Sequence, residues 1–216
     1  MSFLFQPHSY SKQNKQQAVS MLLENTIPDR DFYLLIIGAI ILAASGILLD
    51  SIPVLIASMI VAPLAWPILS MSFAMVAYDK KLFLRALWML FIAIIFAIMI
   101  GGLFSIFVKS YIGAVENTLI SFFPNTFFDI FIAVVSGAIA AYGLVRTKVG
   151  SAMTGIGIAV SLMPPLVAIG MGLFDLSNDL AVRAGTIFLL NVLGIFLGST
   201  CSFLALGLHK EYQNTK

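Results

Sequence analysis

Two stretches of the sequence place prolines inside long apolar runs, where a regular helix would lose hydrogen bonds. They are ASMIVAPLAWPIL (residues 57–69) and AVSLMPPL (residues 159–166). Proline has no backbone N–H, and its ring crowds the carbonyl of the fourth residue before it. In a bilayer core an unpartnered carbonyl costs several kcal/mol unless a hydroxyl, water or a permeating ion replaces the bond. Both stretches are therefore candidates for a backbone that binds an ion or solute.

The carbonyls expected to lose their helical partners lie four residues before each proline. Those of Met59 and Pro63 precede Pro63 and Pro67, and those of Val160 and Ser161 precede Pro164 and Pro165. The side chains that could replace the lost bonds are Ser58, Ser161, Ser70, Ser72 and, from a later segment, Asn191. Trp66 stands between the first two prolines as either a packing block or a gate. The predicted pathway comprises Ser58, Met59, Pro63, Trp66, Pro67, Val160, Ser161, Pro164, Pro165 and Asn191. The competing interpretation is that the prolines only kink packed helices.

The last apolar segment adds an amide and a row of small residues. Asn191 is an amide inside a span, and its other expected role is a hydrogen bond between helices. Gly194, Gly198 and Ser202 follow at a spacing of four, so they form a ridge on one helix face. Such a ridge allows close helix packing. It could serve either the internal core or an interface between subunits.

Several kinds of chemistry are not expected from this sequence. No Asp, Glu, Lys or Arg falls in the middle of an apolar segment, which argues against a carboxylate-based proton pump. No nucleophile–base pair or group of metal ligands lies in those segments, so we expect no enzyme, metal site or cofactor. The single cysteine, Cys201, excludes an intramolecular disulfide. The net charge of +2 is too small to suggest a nucleic-acid partner.

The composition is that of an all-α integral membrane protein. Hydrophobic residues make up 60% of the 216 residues and charged residues 10%, against roughly 45–50% and about 25% in soluble domains. Residues 1–30 are predicted to form a cytoplasmic segment with an amphipathic helix, residues 31–210 a single transmembrane domain, and residues 209–216 a cytoplasmic tail. The apolar segments run over about 32–49, 52–78, 86–108, 127–145, 152–174 and 184–208.

The distribution of basic residues favours six spans over four spans with two re-entrant loops. With six spans and an inner N-terminus, the cytoplasmic side holds Lys12, Lys15, Arg30, Lys80, Lys81, Arg85, Arg146, Lys148, Lys210 and Lys216. The outer side then holds only Lys109 and Arg183. If both proline segments were re-entrant, the basic residues would divide evenly. Cytoplasmic loops carry the excess of Lys and Arg, so we predict six spans in the cell inner membrane with both termini in the cytoplasm.

The two halves of the transmembrane domain resemble each other. ASMIVAPL and AVSLMPPL share Ala, Pro and Leu at matching positions, and Gly-Ala-Ile precedes both, at residues 38–40 and 137–139. Each half, about 31–110 and about 126–208, has three spans, an odd number. The second half therefore starts on the opposite side of the membrane, which makes an inverted-topology repeat. The second helix of each repeat is predicted to be kinked or broken at proline.

Four stretches in order resemble a bacterial and archaeal membrane family catalogued as domain of unknown function 389. They are LLDSIPVLIASMIVAPLAWPI, VSGAIAAYGL, GIGIAVSLMPPLVAIGMGL and FLLNVLGI. The resemblance covers about residues 28–208. Ser58, Trp66 and Leu190 depart from the residues usual in that family. The family name implies no activity.

The sequence thus predicts a membrane transport protein, a channel or secondary carrier for a small inorganic ion or solute. Its pathway would run between the second and fifth spans. Carbonyl and hydroxyl oxygens favour a cation, whereas the N-termini of half-helices would favour an anion. The expected partners are the lipid bilayer and further copies of the chain. The alternative is a scaffold or sensor that does not transport and acts through homo-oligomerisation.

Overall fold

The structure is a computed structural model that describes residues 12–112, 127–145, 162–174 and 178–208, and Tyr212. The described residues form helices and the turns that join them, with no strand among them. The helices are α1 (Lys12–Glu24), α2 (Arg30–Leu48), α3 (Ile52–Val61), α4 (Ala65–Ala77), α5 (Lys80–Ile112), α6 (Phe127–Val145), α7 (Met163–Phe174) and α8 (Asn178–Leu206). The all-α class predicted from the sequence is confirmed.

Local sequence explains where several helices begin. Asp29 caps α2, because its Oδ1 accepts a hydrogen bond of 2.8 Å from the Phe32 N–H. Pro53 lies at the start of α3, where no helical N–H is required. Asp79 precedes α5, and its Oδ1 accepts from the N–H groups of Lys81 and Leu82, each at 3.0 Å. These caps place the helix starts at the edges of the apolar segments.

Three helices among the described residues are long and apolar enough to cross a membrane. They are α2, α5 over Lys80–Phe107, and α8. The α3–α4 pair brings the number to as many as four if it is counted as one span. Helices α6 and α7 provide shorter apolar stretches, Ile130–Val145 and Met163–Phe174. The predicted segment 152–174 is represented only by its last part, because residues 146–161 lie outside the described ranges.

The second apolar segment is broken into two helices. α3 ends at Val61, α4 begins at Ala65, and the two are bent by 49°. At this angle about two-thirds of the length of α4 still advances along the direction of α3. With a rise of about 1.5 Å per residue, the pair extends for nearly 30 Å along that direction.

Close backbone contact joins α6 to α8. A Cβ built on Gly194 would meet Ala133 and the carbonyl of Ile130, and one built on Gly198 would meet Val134 and Ala138. The contact on α6 thus moves about four residues towards its C-terminus when the contact on α8 moves four residues towards its own. The two helices therefore run parallel. A similar approach joins α5 to α7, where Gly101 faces Val167 and Gly170 faces Ile98. Glycine at these places allows backbones to approach more closely than side chains would permit.

Helix α1 and Tyr212 both pack on the apolar helices. Ala18, Val19 and Leu22 form the buried face of α1, which contacts α4 and α6. The ring of Tyr212 packs edge-on against Phe73, and its hydroxyl donates to Asp79 Oδ2 at 2.5 Å. The apolar face of α1 is thus used within the protein.

A candidate transport pathway at the helix break

The break between α3 and α4 consists of residues 62–64. The last helical bond of α3 runs from the Ala62 N–H to the Ser58 carbonyl at 3.0 Å. The next donor would be the N–H of Pro63, which proline lacks, so the helical ladder stops before the Met59 carbonyl. Leu64 is the N-cap residue of α4, and its side chain makes no capping hydrogen bond. At the break, the Met59 carbonyl therefore has no helical donor, and the first N–H groups of α4 have no side-chain cap.

The other prolines begin helices, which corrects the expectation that they interrupt them. Pro67 is the third residue of α4, and Pro164 and Pro165 are the second and third residues of α7. The first N–H groups of a helix have no acceptor within it, so proline costs little there. Consequently Pro67 removes no bond from the interior of a helix. The expected roles of Val160 and Ser161 lie outside the described residues.

The two proline helices also match in register. Leu64 and Leu162 stand immediately before α4 and α7, and a proline is the third residue of each helix. By position in the helix, Pro67 therefore corresponds to Pro165. The motif comparison had instead aligned Pro63 with Pro165. The structure shifts the correspondence by one helical turn.

The predicted pathway side chains differ in exposure. Ser58 is fully buried, and its hydroxyl donates to the carbonyl of Leu55 at 2.7 Å. Met59 and Trp66 are half-buried against the core, and Pro63 is half-buried in the break. The prolines at the starts of α4 and α7 are buried. Ala62 and Leu64 on either side of Pro63 are buried, so within the break only Pro63 reaches the protein surface.

The structure brings the second and fifth apolar segments together through α3 and α7. These two helices contact each other, and both contact α2. Asn191 lies on α8, which packs against α4, α6 and α7, and its side chain is buried. The predicted candidates that the structure describes are therefore distributed over helices that share one core.

Sequence reasoning named Ser70 and Ser72 but missed their partners. The Ser199 hydroxyl donates to Ser72 Oγ at 2.7 Å, and Ser72 donates to the Ile68 carbonyl at 2.9 Å. On another face of α4, the Thr26 hydroxyl donates to Ser70 Oγ at 2.7 Å. All four hydroxyl side chains are fully buried. Ser199 could have been found from its spacing, because it lies eight residues after Asn191 on the same helix face.

The small-residue ridge of α8 faces the inside of the chain. Gly194 and Gly198 are buried against α6, and Ser202 is half-buried. Of the two roles that the sequence left open for the ridge, the structure shows the internal one for both glycines. A subunit interface would need another face of the molecule.

Comparison with known proteins confirms the resemblance found in the motifs. A family model described as "Domain of unknown function (DUF389)" matches residues 59–197. An uncharacterized protein of Methanocaldococcus jannaschii is 31% identical over 176 residues, which cover 81% of this chain and 54% of the relative. The chain thus spans about half the length of the curated relative it matches. No solved structure matches the chain.

Proposed function

The chain belongs to the DUF389 family, whose description states no activity, and from its geometry we propose that it is a membrane transport protein for a small ion or solute. The pathway would pass the α3–α4 break and the start of α7. The observation that carries this proposal is the break itself, which stands in an apolar segment and has no side-chain cap. Non-helical backbone at membrane depth is tolerated only where it is buried in protein or lines a water-filled cavity.

The proposed architecture is six spans arranged as two inverted three-helix repeats. The bend of 49° supports a span rather than a re-entrant loop, because α4 continues the advance of α3. The parallel packing of α6 and α8 supports a crossing between them. If both helices span, the chain from Val145 to Asn178 must return across the membrane. A re-entrant fifth segment would have made these two helices antiparallel.

Two equivalent repeats should make matching helix contacts, and the contacts of the described helices support this. The first repeat would consist of α2, α3–α4 and α5. The second would consist of α6, residues 146–174 and α8. Within them, the contact of α4 with α5 corresponds to that of α7 with α8. Between them, α5 packs on α7 and α8 packs on α4. The third helix of each repeat thus packs on the proline segment of the other.

The remaining features of the proposal follow the charge distribution and the size of the bundle. We place both termini and the α4–α5 turn in the cytoplasm, because the basic residues concentrate there. Six spans make a small bundle, so we also propose a homo-oligomer, whose interface lies away from Gly194 and Gly198. The break offers oxygens that suit a cation, and the start of α4 offers the N–H groups of Ala65 and Trp66, which suit an anion. Pro164 and Pro165 remove two such N–H groups from the first turn of α7.

Flux through liposomes that contain the purified protein tests the transport proposal against a panel of cations, anions and small solutes. Pro63→Ala should alter flux while the assembly is retained, because it supplies an N–H beside the Met59 carbonyl and favours a continuous helix. Pro165→Ala tests the first turn of α7 by a different effect, because it adds an N–H at a helix start and does not join two helices. Pro53→Ala is the matched control, since it removes an exposed proline from α3 at the end opposite the break.

A scaffold that does not transport makes different predictions. It would show no flux for any tested ion or solute while the protein remains folded and assembled. Under that alternative, the Pro63 and Pro165 variants would change oligomeric state or subunit exchange. Absence of flux in folded wild-type protein refutes the transport proposal, and altered assembly without altered flux favours the scaffold.

A further inference from the structure

An exposed basic and aromatic patch occupies the α4–α5 turn and the start of α5. We define this patch as Tyr78, Lys80, Lys81, Arg85 and Trp88, all of which are exposed. Within the part of the chain that the structure describes, none of its three cations has an ion-pair partner. The N-terminus of α5 adds a further partial positive charge at the same place. The patch is therefore a concentration of positive charge without an ion-pair partner among the described residues.

The acidic residue next to this patch is engaged elsewhere. Both oxygens of Asp79 are used: Oδ1 caps the first turn of α5, and Oδ2 accepts from the Tyr212 hydroxyl. These bonds hold the carboxylate to the backbone of α5 and to a buried tyrosine. An external anion would therefore meet the side chains of Lys80, Lys81 and Arg85.

The chemistry of the exposed face changes along α5 in the order found in a phospholipid. Lys81, Arg85 and Trp88 lie on one face at helical spacing, and Phe91 and Ile95 continue it. The rings of Trp88 and Phe91 stack with centroids 5.6 Å apart. At about 1.5 Å per residue, the cations extend over the first 10 Å and apolar groups over the next 10 Å. Charged, aromatic and aliphatic groups thus follow one another along a single exposed stripe.

Tyr78, in the same patch, has a backbone conformation that is unusual for a tyrosine. Its φ of 56° lies in the left-handed region, which glycine adopts without steric cost. The side chain is 90% exposed, so packing on the protein does not explain a tyrosine there. Tyrosine is enriched at the level of lipid headgroups, where its ring and hydroxyl meet different environments.

We propose that this patch is a binding site for an anionic phospholipid. The headgroup phosphate binds Lys81 and Arg85, Lys80 contributes charge, and the first part of an acyl chain lies along Trp88 and Phe91. Charge complementarity selects an anionic headgroup, and the apolar continuation of the stripe selects a lipid over free phosphate. The site does not depend on whether the chain transports a solute.

Quenching of tryptophan fluorescence by brominated lipid measures the occupancy of this site. The full chain is reconstituted in phosphatidylcholine vesicles with a minority of phosphatidylglycerol, and either lipid is brominated at equal mole fraction. Trp66 and Trp88 are the two tryptophans in the sequence, so Trp88→Phe gives the background from Trp66. Brominated phosphatidylglycerol should quench Trp88 more strongly than brominated phosphatidylcholine.

Charge variants identify the groups responsible. Each basic residue near a membrane surface contributes roughly five-fold to the binding of anionic lipid, so K81Q/R85Q should lower the preference by roughly 25-fold. K81R/R85K keeps the charge and should keep the preference. The matched control K12Q/R30Q removes two exposed cations from other helices, α1 and α2, on the same predicted side of the membrane, and should leave the quenching unchanged.

Three outcomes overturn the proposal. Equal quenching by both brominated lipids would show no selectivity for anionic lipid. Equal loss of selectivity in K81Q/R85Q and in K12Q/R30Q would show general attraction to the membrane surface only. Loss of selectivity when inorganic phosphate is added at constant ionic strength would show a site for free phosphate. Unchanged circular dichroism and elution of each variant establish that folding is retained.

Discussion

Replacing Gly198 with alanine is expected to destabilise the protein, because this glycine is where α6 and α8 approach most closely. The added Cβ would lie 2.8 Å from the carbonyl carbon of Val134 and 3.0 Å from the N atom of Ala138, and it would overlap the Val134 carbonyl oxygen. Ordinary contact begins at 3.4 Å, so the overlap with the Val134 carbonyl oxygen requires α6 to move by more than about one ångström. The groups that it meets are backbone atoms, which cannot rotate away.

The magnitude follows from two opposing effects. Alanine in place of glycine gains up to about 1 kcal/mol from helix propensity. Overpacking in a tight core costs about 1–3 kcal/mol. The backbone contact places Gly198→Ala toward the upper end of that cost, so the net loss in the free energy of unfolding should be about 1–2 kcal/mol.

Gly38→Ala provides the matched control in the same kind of helix. A Cβ on Gly38 in α2 would meet nothing within 4 Å, so this change should be neutral or stabilising by up to about 1 kcal/mol. Both variants are compared with the wild type by titrating SDS into detergent-solubilised protein and following helix content by circular dichroism. Gly198→Ala should lower the unfolding midpoint, whereas Gly38→Ala should leave it unchanged or raise it.

The result that refutes this reasoning is a Gly198→Ala variant as stable as the wild type or stabilised like Gly38→Ala. It would mean that α6 and α8 are further apart than the contacts at Gly194 and Gly198 require. The parallel pairing that supports a crossing between these helices would then lose its basis.

Two further predictions concern hydrogen bonds between distant parts of the chain, one from α8 to α4 and one from Tyr212 to Asp79. A double-mutant cycle of Ser72→Ala and Ser199→Ala should give a coupling of about 0.6 kcal/mol, and less than about 2 kcal/mol, in the same SDS titration; additive losses would show that the 2.7 Å bond contributes nothing. Tyr212→Phe keeps the ring contact with Phe73 and removes the bond to Asp79, so it should cost about 1.5–3 kcal/mol. Asp79→Asn should not add its full effect in the double variant, whereas full additivity would contradict a direct bond.

Several features of the fold and of the candidate site were predictable because they depend on local sequence. The segment predicted at 32–49 corresponds to α2 over Arg30–Leu48, and that at 184–208 to α8 over Asn178–Leu206. A break in the second segment followed from the missing N–H of Pro63. Motifs of the family were readable for the same reason, since each is a contiguous stretch of residues.

Other features could not be predicted because they depend on which helix faces which. The spacing of Gly194 and Gly198 predicts a close contact but does not identify the partner, which the structure shows to be α6. Ser72 and Ser199 are separated by 127 positions in the sequence, and Asp79 and Tyr212 by 133. No local period relates residues so far apart.

The prolines show the division most clearly. The sequence by itself determined that the two stretches are apolar, membrane-like and unable to form uninterrupted helices, because the lack of an N–H is a property of each proline. Only the tertiary structure decided that Pro67, Pro164 and Pro165 begin helices and so leave the break in the second segment to Pro63. The physical reason is that packing against neighbouring helices determines which turn of an apolar segment is not helical. The starts of α4 and α7, where proline costs little, then lie in the buried core.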